Sequence, residues 1–496
     1  MSVSFNTIPS GIRVPLFYAE MDNSAAATPT DESKSLLIGQ MLDGTAEVGV
    51  PVTVSTAAMA KKLFGRGSML ARMVEAYRTV DSFGQLVCIP VKDGLSAGAA
   101  TGKAEVKGEA LEAGTLSFYV GGERIQVAVK TGDAGETVAT ALSDAISLKK
   151  DLPVTAGAVS GVVTFTAKTK GTVGNGIQLG VNLRGLINGE AMPAGISVKI
   201  TAMNGGTVDP EVADAIKAMG DEAYDFIGCP YADTAVLDAF QTEMNDTSGR
   251  WSPYRMLFGH VYTAKRGDIN TLKSFGTARN DQHATIVGVE PAMPTAVEEV
   301  LAAYLARTAV FISADPARPT QTGALTGVMA SPVGKRFILT ERQTLLESGI
   351  ATLTTVSGTV QIERAVTTYQ RNSMGDADAS YLDSETLHTS AYILRRLKSI
   401  ITSKYARHKL ADDGTRYGAG QAIVTPSVIK GELVAEYARL ELKGICENRD
   451  LFKAHLIVER NADNPNRLDV LFPPDYVNQL RIFALLNQFR LQYSEE

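Results

Sequence analysis

Apolar residues at period two mark both ends of this chain. After Phe472-Pro473-Pro474-Asp475, the side chains of Phe483, Leu485, Phe489, Leu491 and Tyr493 fall on one face, broken at Asn487. That spacing predicts a terminal strand of about a dozen residues. A long apolar edge strand recruits other chains through its unpaired amides and carbonyls. Only Ser494 and two glutamates follow to blunt it. The pattern therefore points to pairing with another chain, and so to a polymer subunit. At the other end Val3 and Phe5 alternate with polar neighbours, and Pro9 and Pro15 forbid a helix. Residues 1–20 read as a second arm, with a polar loop at Asp22–Ser35 behind it.

Between the arms, short apolar runs alternate with helical patterns. Leu36-Leu37-Ile38-Gly39 and Leu86–Val91 read as buried strands, with a capped helix over Ser68–Tyr77 between them. The pattern resumes past residue 206 with strands at Asp225–Pro230, Arg255–Val261 and Ala284–Glu290, each following a helix, and a longer helix from about Thr295 to Phe311. Apolar strands alternating with helices predict an α/β core domain with a mostly parallel sheet, built from residues 21–95 and 206–370. Residues 96–205 are rich in Gly, Thr, Val and Ala and carry four strand patterns, a Gly121-Gly122 hairpin turn and one helix near 137–148. They form an inserted all-β domain. Residues 371–478 form an α+β C-terminal domain: helices from Ser384 to Lys409 and from Pro426 to Lys443, then a hairpin of Ala454–Glu459 and Arg467–Phe472. Residues 479–496 are the arm strand.

A chain of 496 residues accommodates roughly three domains. Its composition, 45% hydrophobic and 21% charged, is that of a globular protein with real cores. A net charge of −6 gives no whole-molecule field for nucleic acid. No charged, apolar leader opens the chain, and no apolar run reaches membrane length, so neither secretion nor membrane insertion is expected. Cys88, Cys229 and Cys446 are odd in number and far apart, which argues for a reducing compartment.

Several groups of residues in this order resemble the tail sheath proteins of Mu-like contractile-tailed bacteriophages. They are Ile8-Pro-Ser-Gly-Ile-Arg-Val-Pro15, Phe64-Gly-Arg-Gly-Ser-Met-Leu70, Tyr369-Gln-Arg-Asn372 with Gly375-Asp376, Ala379-Ser-Tyr-Leu-Asp383, Tyr392-Ile-Leu-Arg-Arg396 and Val470–Leu480. The resemblance implies a structural subunit that forms six-fold rings, stacked as a helical polymer around a rigid tail tube. Contraction of that sheath drives the tube through the host envelope. It implies as partners further copies of the chain, the tail tube protein, and baseplate and tail terminator proteins. It also implies a place in the virion tail after synthesis in the bacterial cytoplasm. The arms would pair with sheets of neighbouring subunits through Val3, Phe5, Ile8, Phe483, Leu485, Phe489, Leu491 and Tyr493.

Candidate chemistry is sparse. Gly94-Leu-Ser-Ala-Gly98 spells a nucleophile elbow around Ser96, but a loop follows where the elbow needs a helix. A serine hydrolase using Ser96 is the rival reading, and a tail-tube or baseplate protein a third. Gly102-Lys103 lacks the upstream glycine of a phosphate loop. The histidines at 260, 283, 388, 408 and 455 have no metal-ligand spacing, and Asp376, Asp378, Asp383 and Glu385 suit a helix N-terminus capped by Asp383 or Ser384 better than calcium. No catalytic residue, metal or cofactor is expected. On the helix from Ser384 to Lys409, Leu394, Leu397, Ile400, Ile401 and Tyr405 share one arc. Arg395, Arg396, Lys398, Arg407 and Lys409 share the opposite one. That basic arc reads either as a solvated face or, following the resemblance, as a stripe facing the tail tube. It has no interleaved aromatics for base stacking, so nucleic acid is not its partner.

Overall fold

The computed structural model describes residues 33–418 and 420–491. The described chain opens with β1 (Lys34–Gln40), buried from Ser35 onward because both faces of its sheet are covered. It continues through β2 (Val52–Thr53), α1 (Ala57–Phe64), α2 (Met69–Val80) and β3 (Gln85–Val91). Thr56 and Ser68 cap the two helices, accepting hydrogen bonds from the amides of Met59 and Ala71 at 3.1 and 3.2 Å.

The chain then leaves this layer at Gly98 and returns at Thr207, and the two exchange backbone hydrogen bonds of 3.1 and 3.3 Å. Between them lie β4 (Thr101–Gly108), β5 (Gly114–Val120), β6 (Glu123–Val129), α3 (Gly135–Leu148), β7 (Val154–Val159), β8 (Val162–Ala167), β9 (Leu179–Val181) and β10 (Ile196–Asn204). The strands form two sheets, ordered β10-β4-β8-β7 and β6-β5-β9. Phe118 of β5 stacks on Phe165 of β8 at 5.3 Å, joining the sheets in a core of their own. Gly121 and Gly122 turn β5 into β6 at φ of 58° and 89°, values that a Cβ would oppose.

The second half of the layer runs through α4 (Ala213–Ala218), β11 (Phe226–Gly228), α5 (Thr234–Met244), β12 (His260–Arg266), α6 (Ile269–Thr277), β13 (Ala284–Val289), α7 (Val297–Ala314), β14 (Ala324–Met329), α8 (Leu339–Glu347), β15 (Ile350–Val356) and β16 (Thr359–Arg364). The resulting nine-stranded sheet has the order β14-β16-β15-β13-β12-β11-β1-β3-β2. The six strands from β15 to β3 are parallel, and β2, β14 and β16 join antiparallel to their neighbours. Helix α7 crosses the layer with Val300 to Ala306 fully buried. One charged pair enters this core: Arg72 Nη2 donates to Glu298 Oε1 at 2.7 Å. The strand expected at Arg255–Val261 begins only at His260. Met256, Phe258 and Gly259 hold φ of 47°, 58° and 102°, which extended backbone cannot accommodate.

The C-terminal third comprises α9 (Ser384–Tyr405), β17 (Lys409–Leu410), β18 (Ile423–Val424), α10 (Pro426–Leu442), α11 (Arg449–His455), β19 (Ile457–Arg460) and β20 (Leu468–Leu471). A further core gathers around Tyr437, which stacks on Phe452 at 3.8 Å, with Phe472 beside both. Ala454 and His455, expected to open a strand, finish α11 instead. Helix α9 stops at Tyr405, so Arg407 and Lys409 lie beyond it and Lys409 belongs to β17. The protein is multi-domain α/β, with separate hydrophobic cores in the mixed sheet layer, the inserted sandwich and the C-terminal third.

Candidate assembly site

The C-terminal segment packs against the protomer up to residue 481 and is exposed from Ile482 to Leu491. Tyr476 bridges to Cys446 and its hydroxyl lies 3.0 Å from Ser390 Oγ. Gln479 donates to the Ala317 carbonyl at 2.8 Å. Arg481 reaches Glu385 Oε1 at 3.2 Å and Asp383 Oδ1 at 3.5 Å. From Ile482 to Leu491 every residue is exposed and none belongs to a helix or strand. Ile482, Phe483, Leu485, Leu486, Phe489 and Leu491 present 76% to 95% of their surface. The alternation of Phe483, Leu485, Phe489 and Leu491 predicts a strand, and among the described residues it joins no ladder. Val3, Phe5, Ile8 and Tyr493 lie outside the described residues.

A matching vacancy sits in the same third of the chain. Among the described residues hairpin β19–β20 pairs only with itself, in register from Ile457↔Leu471 to Arg460↔Leu468. Ile457, Val470 and Leu471 stay 43% to 58% exposed on it. A two-stranded sheet is marginal alone, and its outer edges carry backbone donors and acceptors without a strand partner among the described residues.

The structure divides the five basic residues of the expected stripe. Arg395 turns inward: its guanidinium pairs with Asp225 at the head of β11 and donates to the Leu257 carbonyl at 3.1 Å. Arg396 pairs with Glu436 of α10, a carboxylate with no exposure, and that bond holds the guanidinium pKa above its ordinary value. Both are corrections to a stripe read from helical angles. The arc they occupy is covered by neighbouring elements, and each guanidinium neutralises a half-buried or buried acid. Lys398, Arg407 and Lys409 remain exposed.

Ser96 occupies an exposed turn at φ 62°, and the backbone runs on from it into β4. The helix that an elbow requires is not there. The four carboxylates near α9 do not converge. Asp378 accepts from Tyr369 Oη and Ser380 Oγ at 2.6 Å each. Asp383 turns to Arg364, receiving two bonds of 2.8 and 2.9 Å, and Glu385 lies fully buried, accepting from the Thr320 amide and hydroxyl at 2.9 and 2.8 Å. Asp383 therefore fills the N-cap position without capping it, as does no other side chain.

Comparison with known proteins places these features in a family. Three family models match in succession: the phage tail sheath protein beta-sandwich domain over residues 96–197, the phage tail sheath protein central domain over 205–368 and the phage tail sheath C-terminal domain over 376–490. The Mu-like prophage FluMu tail sheath protein of Haemophilus influenzae is 40% identical over 495 residues, covering 99% of this chain and 100% of that protein. The chain belongs to the phage tail sheath family. Like its relatives, this sheath protein is a structural component of the phage tail. Two solved structures share the sheath fold. The sheath tail protein of Desulfitobacterium hafniense has a TM-score of 0.52 at 11% identity, with 95% of this chain and 97% of that one covered. The sheath tail protein of Listeria innocua has a TM-score of 0.50 at 13% identity, with 92% and 94% covered.

Two features of this sheath protein escaped the sequence reading. The open edges of β19–β20 follow from sheet topology, which no local pattern encodes. The bond from Arg481 to Glu385 joins residues distant in the chain, although a single arginine at the start of an otherwise apolar alternation marks the place.

Proposed function

We propose that the subunit polymerises as six-fold rings stacked helically around a tail tube, and that contraction of this lattice drives the tube through the host envelope. Neighbours are linked by strand exchange: the arm beginning at Ile482 adds to an open edge of β19–β20 on the next subunit. The observation that carries this reading is the coexistence, in one protomer, of an exposed apolar arm and an unfilled two-stranded sheet. Ten residues in a ladder make on the order of five intermolecular hydrogen bonds, each worth ~1 kcal/mol net. Burying Phe483, Leu485, Phe489 and Leu491 adds ~1.5–3 kcal/mol apiece, less association and ordering costs. One arm is a modest tether, and its repetition on every subunit makes a mesh that survives while the bodies rotate and slide.

The reading includes no active site and no cofactor. Work comes from the free-energy difference between extended and contracted lattices. Lys398, Arg407 and Lys409 are the residues left for the tail tube, through screened ion pairs worth at most about 1 kcal/mol each, weak enough to release during contraction. Baseplate and tail terminator proteins cap the polymer, which assembles in the host cytoplasm and engages neither nucleic acid nor the membrane interior. Electron microscopy of purified full-length protein, beside a chain ending at Arg481, tests the proposal. The full chain forms sheath-width tubes and the shortened chain stays monomeric with unchanged helicity. Tubes from the shortened chain would remove the arm from the assembly.

A further inference from the structure

We infer that Arg481 is the mechanical root of the C-terminal arm, fixing the point at which the arm leaves its own subunit and routing load from the arm into the nine-stranded sheet. The inference rests on the arm reading above and adds a residue to it. Burial ends at Arg481: its side chain is 11% exposed, and every residue from Ile482 to Leu491 is exposed. It enters a cavity of about 360 Å³ formed where the sheet layer meets the C-terminal third. Four parts of the chain converge around the Arg481 side chain. Glu385 and Asp383 come from the start of α9, Arg364 from the end of β16, Thr320 and Gln321 from the loop before β14, and Gln479 from the segment leading to the arm.

The charges balance as two arginines against two acids. Asp383 is held by two nitrogens of the Arg364 guanidinium, at 2.8 and 2.9 Å, and by Arg481 at 3.5 Å. Glu385 has no exposure, and Arg481 is its ion-pair partner among the described residues, beside the amide and hydroxyl of Thr320 and the more distant Ser384 hydroxyl at 3.5 Å. A buried carboxylate left without its cation is costly, so the bond resists being pulled apart. The backbone adds a second hold, since Gln321 Nε2 donates to the Leu480 carbonyl at 3.4 Å and Arg481 Nη1 to Gln321 Oε1 at 3.4 Å. Tension on a docked arm thus reaches β16 and the loop before β14 directly, without peeling residues 476–480 from α9. Arg481 is a positioning residue, acting through Glu385, Asp383 and Gln321 of its own protomer.

The test uses the full chain with Arg481→Ala, Arg481→Lys and the paired change Arg481→Ala with Glu385→Gln, read by hydrogen exchange on the monomer and by dissociation of assembled sheaths in urea. Breaking a buried pair raises local opening, so exchange at residues 476–481 and at the Thr320 amide accelerates on the order of tenfold or more in Arg481→Ala. Lysine restores part of the protection. The paired change, which removes the stranded charge, keeps the core folded while the arm root still exchanges fast and the sheaths dissociate at lower urea. Unchanged exchange at 476–481 in both alanine variants overturns the root, whatever the sheaths do. Tubes from a chain ending at Arg481 would overturn the arm reading and leave the exchange result standing.

Discussion

Tyr262 and His388 lie 2.8 Å apart, hydroxyl oxygen to Nε2, with neither side chain open to solvent. Tyr262 belongs to β12 in the middle of the sheet and His388 to the second turn of α9, so the pair welds the long helix to the α/β layer. His260 completes the seam. Its ring is 4.8 Å from that of Tyr262 and 5.7 Å from that of His388, and its Nε2 lies 2.8 Å from Thr285 Oγ1. Burial drives the His388 pKa down to about 4, against the pull of Asp225 and with the push of Arg395. Burial, with the other histidines, holds His260 well below its ordinary value.

The weld is acid-labile. An unfolded histidine titrates near ~6.5, so between that pH and about 4 the unfolded chain binds protons that the folded chain refuses. Stability is therefore fully present above about pH 6.5 and is lost as pH falls through that window. The interval for His388 alone corresponds to roughly 3 kcal/mol. Thermal melts of the monomer from pH 7 to pH 4 should show a falling Tm, with a shallower slope in His388→Gln. Parallel slopes for the two proteins would assign the loss elsewhere.

Arg72 supports the core from below. It pairs with Glu298 at 2.7 Å and also with Glu299, with exposures of 8% for Arg72 and 3% for Glu298. Arg72→Ala leaves buried carboxylates without a cation and should cost about 3–5 kcal/mol in urea unfolding. Arg72→Ala combined with Glu298→Gln should recover part of that loss, and a single substitution costing under about 1 kcal/mol would contradict the burial of the pair.

The inserted sandwich has a core of its own, and damage there should stay there. Phe165→Ala removes one ring of the 5.3 Å stack with Phe118 and should cost about 3–5 kcal/mol of local stability. Hydrogen exchange should rise across β4 to β10 and remain unchanged in β1 and β3. Protection lost equally in both regions would make the two cores one cooperative unit.

Changes on the outer hairpin should separate assembly from folding. Ile457→Asp and Leu471→Asp alter side chains that are 50% and 58% exposed, so monomer stability should move by no more than about 0.5 kcal/mol. Sheath formation in the same proteins should fail. Normal tubes from both would move the arm's dock away from β19–β20.

Local patterns carried much of this architecture. Runs such as Leu36–Gly39 and Leu86–Val91 became β1 and β3, and Gly121-Gly122 became the hairpin turn. Strand β4 was silent, because its buried positions include Gly102 and Ala104, too small to signal a core. Strand β12 was placed early, because positive φ at Met256 and Phe258 has no mark in their side chains. The stripe on α9 shows the deeper limit. Helical spacing assigns Arg395 an angle, while its partner Asp225 lies 170 positions away, so only the folded chain reveals that the angle points into protein. The arm is the opposite case: its alternation is plain in the sequence, and residues 482–491 are exposed and in no strand of their own protomer.

The doorway at Gly98 and Thr207 has an evolutionary corollary. The chain enters and leaves the sandwich by two strands of backbone that lie side by side and bond to each other, and Lys61 and Arg66 of the layer also hold its Asp151. A module whose two chain ends meet at one doorway can be lengthened or shortened between them while the β1–β3 register stays as it is. Growth or loss within the insertion is thereby uncoupled from the register of the sheet that carries it.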